Sequence, residues 1–214
     1  MNNRRSFVVG IKSVKLSLKE KIFLKKFKPW GVILFSRNIK NILQTQKLTT
    51  EIRKIFKDKK YPILIDQEGG RINRLKNFIS FDNLTSEFFG KKYKKNYSEF
   101  KFYYSLFIDK TSYLLNSIGV NINTSPVLDL RMKGCSNIIG DRSFSKDPKI
   151  VSKIGDHCIQ YFHQNGIATV IKHIPGHGLA NVDSHFFTPI ISKNKEYLFK
   201  KDFITFKKKK SFFA

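Results

Sequence analysis

The stretch ATVIKHIPGHG, residues 168–178, shows how the fold of this chain is built. Its apolar run, 168–171, predicts a buried strand, and Lys172 and His173 follow directly. Parallel α/β sheets and barrels carry their reactive side chains at this end of a strand. The proline and glycines of the loop exclude a helix, so His173 and His177 cannot form the helical histidine pair of a zinc protease. The sequence therefore predicts a strand followed by a polar loop without a metal site.

A short apolar run followed by a longer helical segment recurs along the chain. This alternation is typical of a parallel sheet whose strands are joined by helices. The predicted strands are 31–35, 61–65, 120–123 and 168–171, and the predicted helices are 16–27, 42–56, 89–116, 147–165 and 193–206. We therefore expect an α/β fold with about four β/α units.

The charge of the chain is strongly positive. Its 214 residues include 41 Lys and Arg against 16 Asp and Glu, a net charge of +25. Such a balance is typical of proteins that bind nucleic acid or anionic membranes. The lysines are spread through the chain, and no nucleic-acid recognition motif accompanies them. We therefore expect no specific nucleic acid partner.

Targeting and membrane signals are weak in this sequence. No segment reaches the roughly 18 consecutive apolar residues of a membrane span, and the apolar stretch 7–11 is too short for a secretory signal. Cys135 and Cys158 do not have the spacing of a metal site or a disulfide framework. We expect a cytoplasmic protein without a membrane partner. The sequence does not predict its oligomeric state.

Asp183 and His185 lie one residue apart in the loop after the last predicted strand. Two side chains at this spacing face the same way only in extended or irregular backbone. A carboxylate beside an imidazole fixes its tautomer and raises its basicity, which suits a histidine that transfers protons. Alone, such a pair is more often structural than catalytic, but the neighbouring KHIPGHG motif favours the catalytic interpretation.

Five blocks of sequence occur in the order found in one enzyme family. They are GVILFSRNI (31–39), ILIDQEGGRINRL (63–75), NINTSPVLDL (121–130), IIGDRSFS (138–145), and KHIPGHG followed by DSH (172–185). Together they resemble the glycoside hydrolase family 3 β-N-acetylhexosaminidases, cytosolic bacterial enzymes that remove N-acetylglucosamine from peptidoglycan fragments. The resemblance runs from about residue 10 to about residue 206. It implies a TIM (β/α)8 barrel, of which this chain holds the N-terminal part.

The resemblance also implies roles for individual residues. His185 matches the general acid/base, and Asp183 matches its orienting partner. The carboxylate of one residue and the donor groups of four others suit sugar hydroxyls and the N-acetyl carbonyl. These substrate-binding positions are Asp66, Arg74, Arg142, Lys172 and His173.

Four other polar residues lie in or near these motifs. We assign Glu68 to the organisation of its loop and His177 to hydrogen bonds that tie its own loop. Asp129 and Asp141 receive no role.

The implied reaction is a retaining hydrolysis in two steps, without a metal or an organic cofactor. An aspartate attacks the anomeric carbon while His185 protonates the leaving sugar, and water then releases N-acetylglucosamine. The expected substrate is an N-acetylglucosamine-containing muropeptide, which would place the protein in peptidoglycan recycling.

The family's nucleophilic aspartate follows its sixth strand, and no residue of this sequence matches it. We interpret residues 1–206 as an incomplete catalytic domain and 207–214, KKKKSFFA, as an aberrant lysine-rich tail. A frameshift in an adenine-rich tract, a truncated gene or a fragment would produce such a tail. We therefore expect no hydrolysis by this chain alone. Two alternatives stay open: a non-catalytic module that binds a sugar or muropeptide, and a degenerate remnant.

Overall fold

The computed structural model describes residues 4–132, 137–182 and 186–213. Within these residues, one parallel sheet of five strands forms the centre of the fold. The strands are β1 (Arg5–Gly10), β2 (Pro29–Leu34), β3 (Ile63–Ile65), β4 (Ile122–Asn123) and β5 (Ala168–Thr169). They lie side by side in chain order, and every neighbouring pair is parallel. The prediction of an α/β fold with a parallel sheet is therefore confirmed.

The described helices flank this sheet. They are α1 (Leu18–Phe27), α2 (Ile42–Phe56), α3 (Ser86–Lys95), α4 (Tyr97–Ser117), α5 (Pro148–Gln164) and α6 (Lys195–Lys200). Side-chain caps set several of their starts, as at α2, where the Asn41 side chain accepts a hydrogen bond from the backbone N–H of Gln44. No helix in the described part of the chain is both long and apolar enough to cross a membrane.

Strand β1 is not among the four predicted strands, so that count was wrong. Its sequence, RSFVVG, starts with charged and polar residues, and Val8 is exposed. It pairs with β2 and, among the described residues, lies at one edge of the sheet. An edge strand with exposed positions does not need the continuous apolar run that marks a strand buried on both faces.

Two predicted helices also differ from the structure. The single predicted helix 89–116 is two helices, because Asn96 interrupts it and its side chain accepts a hydrogen bond from the N–H of Glu99, which starts α4. The stretch 193–206 begins as α6 and continues as a short 3-10 helix, Phe203–Phe206.

The register of the sheet determines where the functional residues lie. Ile65 at the end of β3 pairs with Asn123 on β4, and Asn123 pairs with Thr169 on β5. The carboxyl ends of these three strands therefore lie level with one another. Residues that follow them in sequence meet above the same edge of the sheet.

The lysine-rich tail forms backbone hydrogen bonds with the end of β5 and the residues after it. Phe213 forms a parallel bridge with Val170, and its N–H donates to the carbonyl of Thr169. Its ring makes an edge contact with Trp30 of β2 at a centroid distance of 4.7 Å. Residues that we interpreted from sequence as an aberrant tail thus pair with the chain at the end of β5 through a single bridge.

Lys209 anchors this tail to α5, and its side chain is only 2% exposed. Its ammonium donates to the carbonyl and hydroxyl of Ser152, at 2.9 and 2.6 Å, and pairs with Asp156 at 2.8 Å. We expect Lys209→Ala to lower the free energy of unfolding by about 1–3 kcal/mol, because three hydrogen-bonded groups lose their cation. Urea denaturation measures this change. Lys210→Ala, at an exposed position, is the control, and equal effects of the two variants would contradict the anchor.

Candidate active site

The main chain after β3 is held in place by the neighbouring strand. The side chain of Asn123 accepts a hydrogen bond from the Gln67 N–H at 3.0 Å and donates to the Gln67 carbonyl at 2.8 Å. The Gln67 side chain in turn accepts from the N–H of Arg74 at 2.8 Å. This clamp fixes the positions of Asp66 and Glu68, the carboxylates on either side of Gln67.

Asp66 lies at the carboxyl end of β3 and faces three donors. Its carboxylate accepts from the Thr124 hydroxyl and from the Lys172 ammonium, the latter at 3.2 Å, and lies 3.7 Å from the Arg74 guanidinium. Burial raises the pKa of Asp66, but Lys172, Thr124 and Arg74 outweigh it and hold the pKa below its usual value. Asp66 is therefore ionised near neutral pH.

Glu68 is more deeply buried, with a side chain only 3% exposed. The guanidinium of Arg142 binds both of its oxygens, at 2.8 and 2.9 Å, in the two-point geometry that strengthens such pairs. Lys172 reaches the same carboxylate at 2.6 Å. Burial raises the pKa of Glu68, but Arg142 and Lys172 lower it by more than burial raises it, so the pKa lies below its usual value.

Lys172 therefore joins two acidic residues. Its ammonium contacts Asp66 and Glu68 and lies 3.3 Å from the Thr124 hydroxyl. Because Lys172 comes from the loop after β5 and both carboxylates come from the loop after β3, this contact links the two loops across β4. Our assignment of Glu68 to loop organisation did not anticipate that its carboxylate holds two of the predicted sugar-binding cations.

Asp129 holds the loop after β5 in place from the buried side of the site. Its side chain is fully buried and accepts from His173 Nδ1 at 2.6 Å and from the His177 N–H at 2.7 Å. A carboxylate accepts at this position, so His173 carries its proton on Nδ1. Its Nε2 then accepts from Arg142 at 3.4 Å, and both contacts are satisfied by one tautomer.

His177 ties its loop by a hydrogen bond, but not with its ring. Its backbone N–H binds Asp129, so the loop is tied as expected, but through the main chain. Both ring nitrogens are buried and find no hydrogen-bond partner among the described residues.

Five predicted substrate-binding residues thus come together at one edge of the sheet. Ion pairs or hydrogen bonds connect all of them within the described structure, directly or through Glu68. The five are Asp66, Arg74, Arg142, Lys172 and His173. The predicted acid/base pair, Asp183 and His185, lies outside the described residues. The described residues contain no group of three or more His, Cys, Asp or Glu side chains arranged to hold a metal ion.

Sequence reasoning gave no role to the positioning residues Asp129, Asn123 and Thr124, and it assigned Glu68 only to the organisation of its own loop. The available signal was their location, because each is a polar residue at or beyond the end of a buried strand. Asp141 pairs with Arg71 at 3.1 Å and makes no described contact with the five residues.

A buried carboxylate beneath the loop was also missed. Asp202, just after α6, is 1% exposed, and neither of its oxygens finds a hydrogen-bond partner among the described residues. A β-carbon placed on Gly176 would lie 2.6 Å from the Asp202 β-carbon, so the loop backbone packs directly on this residue. Burial, with a smaller contribution from Asp129, raises the pKa of Asp202 to about 6.

The comparison with known proteins identifies the class of enzyme. The model of the glycosyl hydrolase family 3 N-terminal domain matches residues 8–209. The chain belongs to this family of glycoside hydrolases.

Its named relatives are more specific. The chain is 36% identical to the beta-hexosaminidase of Hydrogenovibrio crunogenus over 206 residues, which cover 94% of this chain and 56% of the relative. It is 32% identical over 197 residues to the beta-hexosaminidase of Haemophilus influenzae, covering 92% and 54% of the two chains. The chain thus spans about half the length of the curated relatives that it matches.

Solved structures agree with this assignment. NagZ from Neisseria gonorrhoeae superposes with a TM-score of 0.86 at 29% identity, covering 95% of this chain and 58% of NagZ. The same enzyme has been solved with N-trifluoroacetyl-D-glucosamine and superposes equally well. The predicted fold, the N-terminal part of a TIM-type barrel, is confirmed, with five strands in the described part instead of four.

The shared role of Glu68 can be tested by Glu68→Gln. We expect this change to lower the free energy of unfolding by about 3 kcal/mol, because it leaves two buried cations without their common anion. Urea denaturation measures the loss. Glu196→Gln, which removes an exposed ion pair with Lys200, should cost less than about 1 kcal/mol. A similar small cost for both variants would show that Glu68 does not hold the network.

Asp202 should make stability depend on pH. Its folded pKa of about 6 lies above the ordinary 3.8, so the fold favours the protonated form. This contribution is present at low pH and is lost as the pH rises through about 6. Between pH 5 and 7.5, we expect wild type to lose about 1–2 kcal/mol relative to Asp202→Asn, which does not titrate.

Urea unfolding of the two proteins at both pH values measures this difference. Above pH 5, Asp66 and Glu68 stay ionised because their folded pKa values are lowered, so they do not mask the effect. A gap between wild type and Asp202→Asn that stays constant with pH would contradict the titration of Asp202.

Proposed function

We propose that this chain forms the sugar-binding side of a β-N-acetylhexosaminidase active site. The observation that carries the proposal is the connected cluster of Asp66, Arg74, Arg142, Lys172 and His173 at the carboxyl edge of the sheet. One ionised carboxylate surrounded by fixed donors suits a ligand rich in hydroxyl groups.

Exposure separates the residues that contact the sugar from those that support them. The side chains of His173 and Asp66 are 38% and 22% exposed, so both present polar atoms to a ligand. Glu68 and Asp129 are buried and do not. We propose that Asp66 accepts hydrogen bonds from two sugar hydroxyls, one at each carboxylate oxygen, while Arg74 and Lys172 keep it ionised.

The opposite side of the cluster suits the N-acetyl group. Arg142 and His173 lie 3.4 Å apart, and Glu68 and Asp129 hold them from the buried side. A guanidinium fixed in this way donates to a carbonyl oxygen without losing side-chain entropy on binding. The N-trifluoroacetyl-D-glucosamine bound to the similar NagZ supports N-acetylglucosamine as the recognised sugar.

The proposed reaction is hydrolysis with retention of the anomeric configuration. His185 protonates the leaving oxygen in the first step and activates water in the second, while Asp183 fixes its tautomer. We propose that the attacking carboxylate lies outside this sequence, so that this chain alone binds the sugar without cleaving it. The natural substrate would be a muropeptide with a terminal N-acetylglucosamine, processed in the cytoplasm.

A non-catalytic sugar- or muropeptide-binding protein is the second candidate. It is favoured because all five predicted binding residues lie in the described part of the chain. A degenerate remnant is less well supported, because the buried ion pairs beneath the site are formed with good geometry.

The sugar-binding role of Asp66 can be measured by calorimetric titration of the chain with N-acetylglucosamine. We expect Asp66→Asn to weaken binding by about 1.5–3 kcal/mol, at least tenfold, because hydroxyl donors lose a charged acceptor. Asp58→Asn is a matched control, since Asp58 is also ion-paired with an arginine, Arg4, but lies before β3, at the other end of the sheet.

The control variant should bind the sugar as wild type does. Equal affinity of Asp66→Asn and wild type would refute the role of Asp66. No binding by the folded wild-type chain would refute the sugar site as a whole.

A further inference from the structure

The outward side of helix α4 is unusual for a helix that covers a sheet. Its inward side is apolar, as expected, with Phe100, Phe107 and Leu115 buried. Its outward side carries large apolar side chains among its polar ones, since Phe102, Leu106 and Tyr113 are 64%, 56% and 64% exposed. A helix on the surface of a soluble domain normally has a polar outer side. Such an exposed apolar surface indicates an interaction site.

The exposed residues adjoin a groove between α3 and α4. We call the groove and the exposed side chains beside it the α4 face. The groove has a volume of about 360 Å³, and its lining is mainly aromatic and aliphatic. It is lined by Phe81, Leu84, Phe88, Phe89, Lys92, Tyr103, Leu106, Phe107 and Lys110.

Lysines surround this apolar surface. The ammonium groups of Lys92 and Lys110 lie 4.6 and 5.4 Å from the rings of Tyr103 and Tyr113. Lys101 lies 5.4 Å from the ring of Tyr97 at the start of α4. Glu99 pairs with Lys92, which leaves Lys101 and Lys110 as border lysines without an ion pair among the described residues, and the exposed Asp109 accepts a hydrogen bond from Asn165. The α4 face therefore combines exposed apolar side chains with two border lysines, Lys101 and Lys110, and one exposed carboxylate, Asp109.

We propose that the α4 face binds the surface of a membrane that contains anionic lipids. Aromatic and leucine side chains would enter the boundary between headgroups and acyl chains, and the lysines would contact lipid phosphates, as in helices that lie in the interface plane. The net charge of +25 adds attraction to such a surface. The expectation of no membrane partner considered only spanning segments and signals, which do not report on an exposed side of a folded helix.

Other occupants fit this surface less well. A second copy bound through the same face would bring together two chains that each carry a net charge of +25, and like charges at an interface are costly. Nucleic acid would use the lysines and the exposed aromatic rings but would leave Leu84 and Leu106 of the groove without an apolar partner. An anionic bilayer satisfies both the apolar and the cationic groups.

The test measures co-sedimentation of the full chain with vesicles of phosphatidylcholine alone or with added phosphatidylglycerol. We expect binding only to the vesicles that contain phosphatidylglycerol. Phe102→Ser/Leu106→Ser should weaken it roughly tenfold or more by removing two apolar anchors. Leu18→Ser/Leu43→Ser is the matched control, because these leucines are at least as exposed but lie on α1 and α2. It should change binding less than about twofold, and circular dichroism checks that both variants fold.

A second pair of variants separates this site from general attraction between a cationic protein and anionic lipid. Lys101→Gln/Lys110→Gln and Lys47→Gln/Lys54→Gln remove the same charge, from the α4 face and from α2 respectively. We expect the first pair to lose roughly fivefold in affinity per lysine and the second pair much less.

Equal losses for the two pairs, or binding insensitive to Phe102→Ser/Leu106→Ser, would overturn the proposal in favour of non-specific adhesion. Absence of vesicle binding by wild type would also overturn it. Sedimentation equilibrium provides a further check. A dimer that forms in wild type and is lost in Phe102→Ser/Leu106→Ser, without vesicle binding, would assign the face to a second copy instead. None of these results depends on sugar binding or hydrolysis.

Discussion

The site depends on one buried anion shared by two cations. Glu68 receives both Arg142 and Lys172 within hydrogen-bonding distance, and its side chain is almost completely buried. Burying one cation beside one anion often gains little, because desolvation offsets their attraction. A network whose members are all paired contributes to ligand binding instead, because it fixes the positions of long side chains before any ligand arrives. The exposed groups of the site are therefore already oriented.

The parallel sheet makes this arrangement possible. The level ends of β3, β4 and β5 bring three loops to one edge, and Asn123 on the middle strand clamps the main chain beside Asp66 and Glu68. Asp129 fixes the third loop through His173 and the backbone of His177. Specificity for a sugar would thus arise from loops held on a rigid scaffold, a common arrangement in barrel enzymes.

The strands and helices were predicted from the sequence more completely than the buried residues that hold the site in place. Apolar runs located β2 to β5, because strands buried on both faces have little choice of residue. Strand β1 was not predicted, because a strand at the edge of a sheet tolerates exposed residues. The break between α3 and α4 was not predicted either, because the aromatic pattern of the sequence continues through Asn96. Residues with family motifs were found by resemblance. Glu68 and Asp129 were not given their roles, because pairing between carboxylates and cations from distant loops depends on register and burial, which periodicity does not report.

The most direct measurement is a crystal structure of this chain soaked with N-acetylglucosamine. We expect the sugar at the carboxyl edge of the sheet, with the Asp66 carboxylate within hydrogen-bonding distance of two ring hydroxyls and the N-acetyl oxygen facing the guanidinium of Arg142. The Glu68 network should be unchanged by binding, because it is formed in advance. A sugar bound elsewhere, or one that enters only after Arg142 and Lys172 leave Glu68, would contradict a preformed sugar site.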